Sequence, residues 1–341
     1  MSLPDPRQYG SGDPTNPILR LAGEGRHREL TRALRELASA GRDAEIRDLL
    51  SAAPSAGSYA RLWQAVCAAV EKPATEHDLA TRVFALPWVI VCGASANATL
   101  SCVLPDVPEL ARVLQTAGVF GPSRNVGLGS ALASIETIEA ILPSELLEWT
   151  RQPGIRDVPP APIELTRGAE EVHVRLLLGA AIVPVGAPDI AETGSNIAAW
   201  GTAALKAMRA QLATPAVEVL PMPRPPAGLY SAAYAGRRAG VEAAFNLFMS
   251  NAVRRFRGIV GDPHVNVSSH AGPELRVTLW TPLDDGLVEG FRWPLHPADD
   301  LEDIERTVAT MIAECRLEEP NVAPAVLPSH SPTGAVLFPS T

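Results

Sequence analysis

Glu274-Leu-Arg-Val-Thr-Leu-Trp-Thr281, Pro282-Leu-Asp-Asp-Gly286 and Leu287-Val-Glu-Gly-Phe-Arg-Trp293 follow one another near the C-terminal end of the chain. Leu275, Val277 and Leu279 alternate with polar residues, the period-two pattern of a strand with one buried face. The Pro-Asp-Gly stretch between the two runs is turn chemistry, so the segment reads as a β-hairpin. A helix follows over Leu301–Arg316, with Leu301, Ile304, Val308 and Met311 on one stripe. Asp300, Asp303 and Glu305 stand at its positive end, where capping and the helix dipole favour them. A hairpin that hands over to a helix belongs to an α+β arrangement better than to a doubly wound parallel sheet, although a mixed α/β sheet fits as well.

The same reading extends upstream. His264–Ser269 is a third strand. A long helix before it carries Val241, Phe245, Phe248, Ala252 and Phe256 at helical spacing, and Gly236 and Gly240 suggest a break near its start. Strands are expected at Glu171–Leu178, Ala181–Val185 and Ala216–Leu220, and a helix over Asn196–Leu212. The N-terminal part reads as a helical layer. Leu30, Leu34 and Leu37 form an apolar stripe, and further helices are expected over Ala44–Leu50, Ser58–Val70 and Thr75–Phe84. Trp88–Cys92 and Thr99–Leu104 form a candidate hairpin, followed by helices over Pro108–Thr116, Ser130–Ile141 and Ser144–Thr150. Pro153, Pro159, Pro160 and Pro162 make residues 152–165 the candidate linker, because proline supplies no backbone donor to helix or ladder. The expected organisation is an N-terminal arm (1–20), a helical or α+β domain (21–151), the linker (152–165), an α+β domain (166–317) and a proline-rich tail (318–341).

Composition bounds the function. Of 341 residues, 46% are hydrophobic and 20% charged, which excludes a wholly disordered chain. The formal net charge of −9 offers no global basic face for phosphate neutralisation and disfavours nucleic acid. Cys67, Cys92, Cys102 and Cys315 are too scattered for a metal knuckle. The longest apolar stretch, Leu176–Val183, is far short of a membrane span, and the first residues lack the apolar core of a signal peptide. A cytoplasmic location with reduced thiols is the expectation.

Two stretches could carry chemistry. Gly118–Ser130 is glycine-rich and reads as leading into a helix, so Arg124, Asn125, Gly127, Gly129 and Ser130 are candidates for holding an anion. A tight helix connection explains the same residues. On the strand from His264, alternation puts His264, Asn266, Ser268 and His270 on one face with Asp262 nearby, a polar row that could line a pocket. Two histidines supply only half of a tetrahedral set, so no metal is assigned, and no motif calls for a cofactor. Arg254, Arg255 and Arg257 read as favourable charge at a helix C-terminus, and Pro221–Pro226 as a proline-stiffened loop. The expected function is a non-catalytic interaction protein: a scaffold, adaptor or accessory subunit that binds other protein chains and could form a homo-oligomer. The competing expectation is an enzyme with a phosphate-binding or metal-assisted site at one of the two stretches.

Overall fold

The computed structural model describes residues 16–72, 79–93, 98–152, 154, 156–168, 170–184, 186–212, 219–269, 274–284, 286–317 and 321–322. The architecture is α+β, with helices laid on antiparallel sheets. Two compact units divide the chain. One takes Glu24–Leu49 and Trp63–Gly240; the other takes, among the described residues, 16–23, 50–62 and the chain from Val241 onward.

The first unit is built on two strands of 14 residues, β1 (Leu79–Cys92) and β5 (Glu171–Pro184), paired antiparallel along their whole length. β3 (Arg124–Ala133) flanks β5 and β6 (Val219–Pro223) flanks β1, giving the order β3-β5-β1-β6. Apart from Leu79, Arg82 and Val91, every side chain of β1 is buried. Valines, aromatics and leucines therefore face apolar neighbours on both sides, as a central strand requires. On one face, Phe84, Leu86, Trp88 and Ile90 join Leu110 and Leu114 of α5 (Val107–Thr116) and Trp200, Ala204 and Met208 of α9 (Ile197–Leu212). Phe84 lies across Gly179, where an added Cβ would come within 2.2 Å of its ring. The other face meets α10 (Leu229–Ile259): Cβ atoms on Gly236 and Gly240 would approach Val174 to 3.1 and 2.4 Å. Glycine lets this helix settle close to the sheet. The expected break at these glycines is absent, and α10 runs on as one helix of 31 residues.

The remaining elements of this unit are α2 (His27–Ser39), most of α3 (Asp43–Ser51), the C-terminal part of α4 (Ala56–Glu71), α6 (Ile135–Glu139), α7 (Pro143–Trp149) and α8 (Ile190–Thr193). A small antiparallel ladder pairs β2 (Ala98–Leu100) with β4 (Ile163–Leu165). Leu30, Leu34 and Leu37 of α2 are buried as their spacing implies.

The second unit has a meander, β7 (His264–Ser269), β8 (Glu274–Trp280) and β9 (Val288–Pro294), with β10 (Asn321–Val322) alongside β7. Leu275, Val277 and Leu279 are fully buried. They pack with Phe245, Met249 and Phe256 of α10 and with Ile304, Val308 and Met311 of α11 (Leu301–Glu314). Asp300 caps α11, accepting from the Glu302 N–H at 3.1 Å. α1 (Pro17–Gly23) also belongs to this unit.

Several expectations are corrected. Residues 79–84 are strand, not helix; residues 75–78 of that expected helix lie outside the described residues. Trp88–Cys92 and Thr99–Leu104 do not form a hairpin, because β1 pairs with β5 and β6 while β2 pairs with β4. The expected strands Glu171–Leu178 and Ala181–Val185 are one strand, β5, as far as Pro184. The expected helix over Ser130–Ile141 is strand up to Ala133 and helical only over Ile135–Glu139. The segment 152–165 does not separate domains, since β1 before it and β5 after it share a sheet. The expected arm already turns helical at Pro17, and Leu301 is exposed rather than buried. The rest of both proline-rich ends lies outside the described residues, apart from Asn16, Asn321 and Val322.

Candidate functional site

α10 begins at Gly228-Leu229-Tyr230-Ser231, with no side chain at its start able to accept from the first-turn N–H groups, which need a partner from elsewhere. Glu71, the last residue of α4, provides it. The Ser231 N–H donates to Oε1 at 2.9 Å, and the Ser231 hydroxyl donates to Oε2 at 2.7 Å. Gly228 is required here, because a Cβ would stand 2.3 Å from the Glu71 carboxyl carbon. Burial pushes the Glu71 carboxyl up to about 7, and Asp189 adds to the rise; the hydrogen bonds from Ser231 and the Tyr230 backbone pull the other way. One turn earlier on α4, burial first and Glu71 second push the Cys67 thiol well up. A thiol of that kind is a poor nucleophile at neutral pH.

These groups border a cavity of about 370 Å³, whose wall also includes Lys72, Arg82, Val83, Val183, Asp189, Ile190 and Glu192. Arg82 is held by the carbonyls of Ala187, at 2.6 Å, and Pro188. The volume lies within the range of roughly 300–1,000 Å³ typical of small-ligand pockets. A carboxyl that exchanges its proton near neutrality is the kind of group such pockets employ.

A second surface lies on β6. Leu220 and Met222 are 38% and 39% exposed. Register places Leu220 in a row with Val91 and Val172, both part-exposed, and Met222 in the next row with Val89 and Val174. The outer edge of the strand has an unusual chemistry. The Arg224 N–H donates to the Pro87 carbonyl at 2.9 Å, so by antiparallel alternation Met222 and Leu220 also point their backbone groups inward at β1. Pro221 and Pro223 then occupy the outward positions, and proline has no N–H to present there.

The two expected sites fall in different units. Arg124 to Ser130 lie on edge strand β3 of the first unit, not on a loop entering a helix. Arg124 and Gly127 pair with Ile182 and Ala180, and Asn125 sits between them at a register shift with φ +49°. On the outer side the Ser130 carbonyl accepts from Leu104. The backbone around Gly127, Gly129 and Ser130 thus belongs to a sheet strand rather than to a helix start.

In the second unit, Asp262 pairs with Arg257, and the exposed His264 ring lies against Trp280 with centroids 5.1 Å apart. Asn266 is part-exposed. Ser268 is 1% exposed, and its hydroxyl makes no hydrogen bond among the described residues. His270 lies outside the described residues. Among the described residues, no three His, Cys, Asp or Glu side chains group to hold a metal ion, and no helix is long and apolar enough to cross a membrane. Arg254 donates to Asn251 at 2.8 Å, and Arg255 pairs with Glu289 at 3.0 Å. Of the three arginines read as helix-terminal charge, Arg257 lies in the last turn of α10, whereas Arg255 reaches Glu289 on β9. Glu71 carried no signal in the sequence, since its partner Ser231 is 160 residues away; only the capless Gly228-Leu229 start of α10 hinted that something distant must serve that end. Compared with known protein families, curated proteins and solved structures, the chain has no match.

Proposed function

We propose that this chain is a non-catalytic interaction protein, a scaffold, adaptor or accessory subunit that works by binding other protein chains. The observation that supports this reading is the apolar strip of Leu220 and Met222, continuous with Val91 and Val172 at one end of the first unit's sheet. Single exposed apolar residues are ordinary, whereas a contiguous group on regular structure marks a contact surface. A second reading, a small-molecule site, draws on the 370 Å³ cavity beside Glu71.

The test compares wild type with the double variant Leu220→Lys, Met222→Lys, both isolated from source cells and assayed for co-purifying chains and small molecules. Exposed substitutions of this kind cost about 0.5 kcal/mol or less, so the melting temperature should hold while a stoichiometric partner chain is lost. A partner retained equally by both proteins removes the strip from the argument. A bound small molecule without any partner chain favours the second reading.

A further inference from the structure

We propose that Glu71 makes the junction between α4 and α10 a pH-sensitive joint, which tightens as the solution acidifies and loosens as it turns alkaline. The geometry comes first. One carboxyl group links the last residue of one helix to the first turn of another, 160 residues along the chain, through the Ser231 N–H and hydroxyl. Gly228 supplies no alternative cap and leaves no room for one. With Glu71 ionised, both its oxygens accept. With Glu71 protonated, Oε1 still accepts from the Ser231 N–H while the carboxylic O–H donates to the Ser231 oxygen, so both contacts persist and the Ser231 hydroxyl proton is released to point elsewhere. The bond reverses instead of breaking.

The direction of the pH effect follows from where the proton is held more strongly. The clamped carboxyl keeps its proton up to about 7, against an ordinary value of 4.5 once it swings into water. Protonation therefore favours the clamped arrangement. The extra stability of the joint is complete below about 4.5 and is lost as pH rises through about 7, a change on the order of 300-fold in the opening equilibrium. Among the described residues, the other titratable and charged groups around this junction are Cys67 and Lys72 at the end of α4, Arg82 on β1, Asp189 and Glu192 at α8, and Tyr230 on α10, which also feels Asp43 and Glu145. Asp189 reinforces the effect by repelling the ionised form. Burial pushes both Cys67 and Tyr230 upward, so neither supplies a competing titration near neutrality. The cavity beside Glu71 gives the ionised side chain somewhere to go.

The experiment follows amide hydrogen exchange of Tyr230, Ser231 and Ala232 in the full chain between pH 5 and pH 8.5, corrected for the intrinsic pH dependence of exchange. Wild type should lose protection at these amides on the order of 50–100-fold across that range. Glu71→Gln, which keeps an acceptor for the N–H and a donor for the hydroxyl, should show a flat profile. A carbon-detected titration of the Glu71 carboxyl in wild type supplies a measurement that needs no variant. An ordinary carboxylate midpoint, a flat wild-type profile, or the same pH dependence in Glu71→Gln would each overturn the proposal.

Discussion

The two principal sheets solve the burial problem differently. In the first unit, β1 and β5 lie between α5 and α9 on one side and α10 on the other, and nearly all of β1 is buried on both faces. In the second unit, α10 and α11 supply the apolar cover of one face, while the opposite face carries the polar Glu274, Arg276, Thr278 and Asn266. Even there the polar side chains are not all in water. Arg276 is 4% exposed and donates to Glu274 at 2.7 Å, whereas Thr278 is 5% exposed and its hydroxyl makes no hydrogen bond among the described residues. The first sheet is held by close apolar fit on two sides; the second gets its apolar fit from one side and tolerates polar imperfection on the other.

Three substitutions sharpen or break this contrast. The largest effect belongs to Phe84→Ala, which empties the space over Gly179 in a layer that cannot collapse from either side. The expected loss is about 3–5 kcal/mol in urea unfolding, and a loss under 1 kcal/mol would mean the two-sided sheet is no more rigid than the other. Ile304→Ala on α11 should cost about 2–5 kcal/mol as a buried large-to-small change. A loss below about 0.5 kcal/mol, the range of ordinary surface positions, would show the helix undocked. Thr278→Val should act in the opposite sense, stabilising by about 1 kcal/mol, since it removes a buried hydroxyl that has no partner among the described residues and keeps the branched shape. Destabilisation beyond 1 kcal/mol would show that the hydroxyl serves a polar structure on that face.

The same contrast explains what could be read from the residues alone. Leu275, Val277 and Leu279 alternate with the polar Glu274, Arg276 and Thr278 even though Arg276 and Thr278 are themselves buried, and the hairpin with the helix after it was legible from that alternation. β1 has no wet face over most of its length, so alternation is erased and residues 79–84 resembled an apolar helix segment. β3 was hidden in another way: Gly127 and Gly129 suggested a ligand loop, whereas they sit in an edge strand with shifted register. The prolines of 152–165 marked irregular backbone correctly but could not say that the strands on either side pair with each other. Glu71 is the clearest failure of local reading, because its role depends on a helix start encoded 160 residues later.

The proline-bearing edge of β6 has a consequence for how the protein behaves at high concentration. A free sheet edge usually recruits further strands through alternating donors and acceptors, the first step towards aggregated or fibrillar β-structure. Here Pro221 and Pro223 leave that edge with carbonyl oxygens and without matching N–H groups. A second copy of the same strand approaching it would meet carbonyl oxygens at Pro221 and Pro223 with no N–H to pair them. The two prolines thus oppose a ladder growing beside the exposed side chains of Leu220 and Met222.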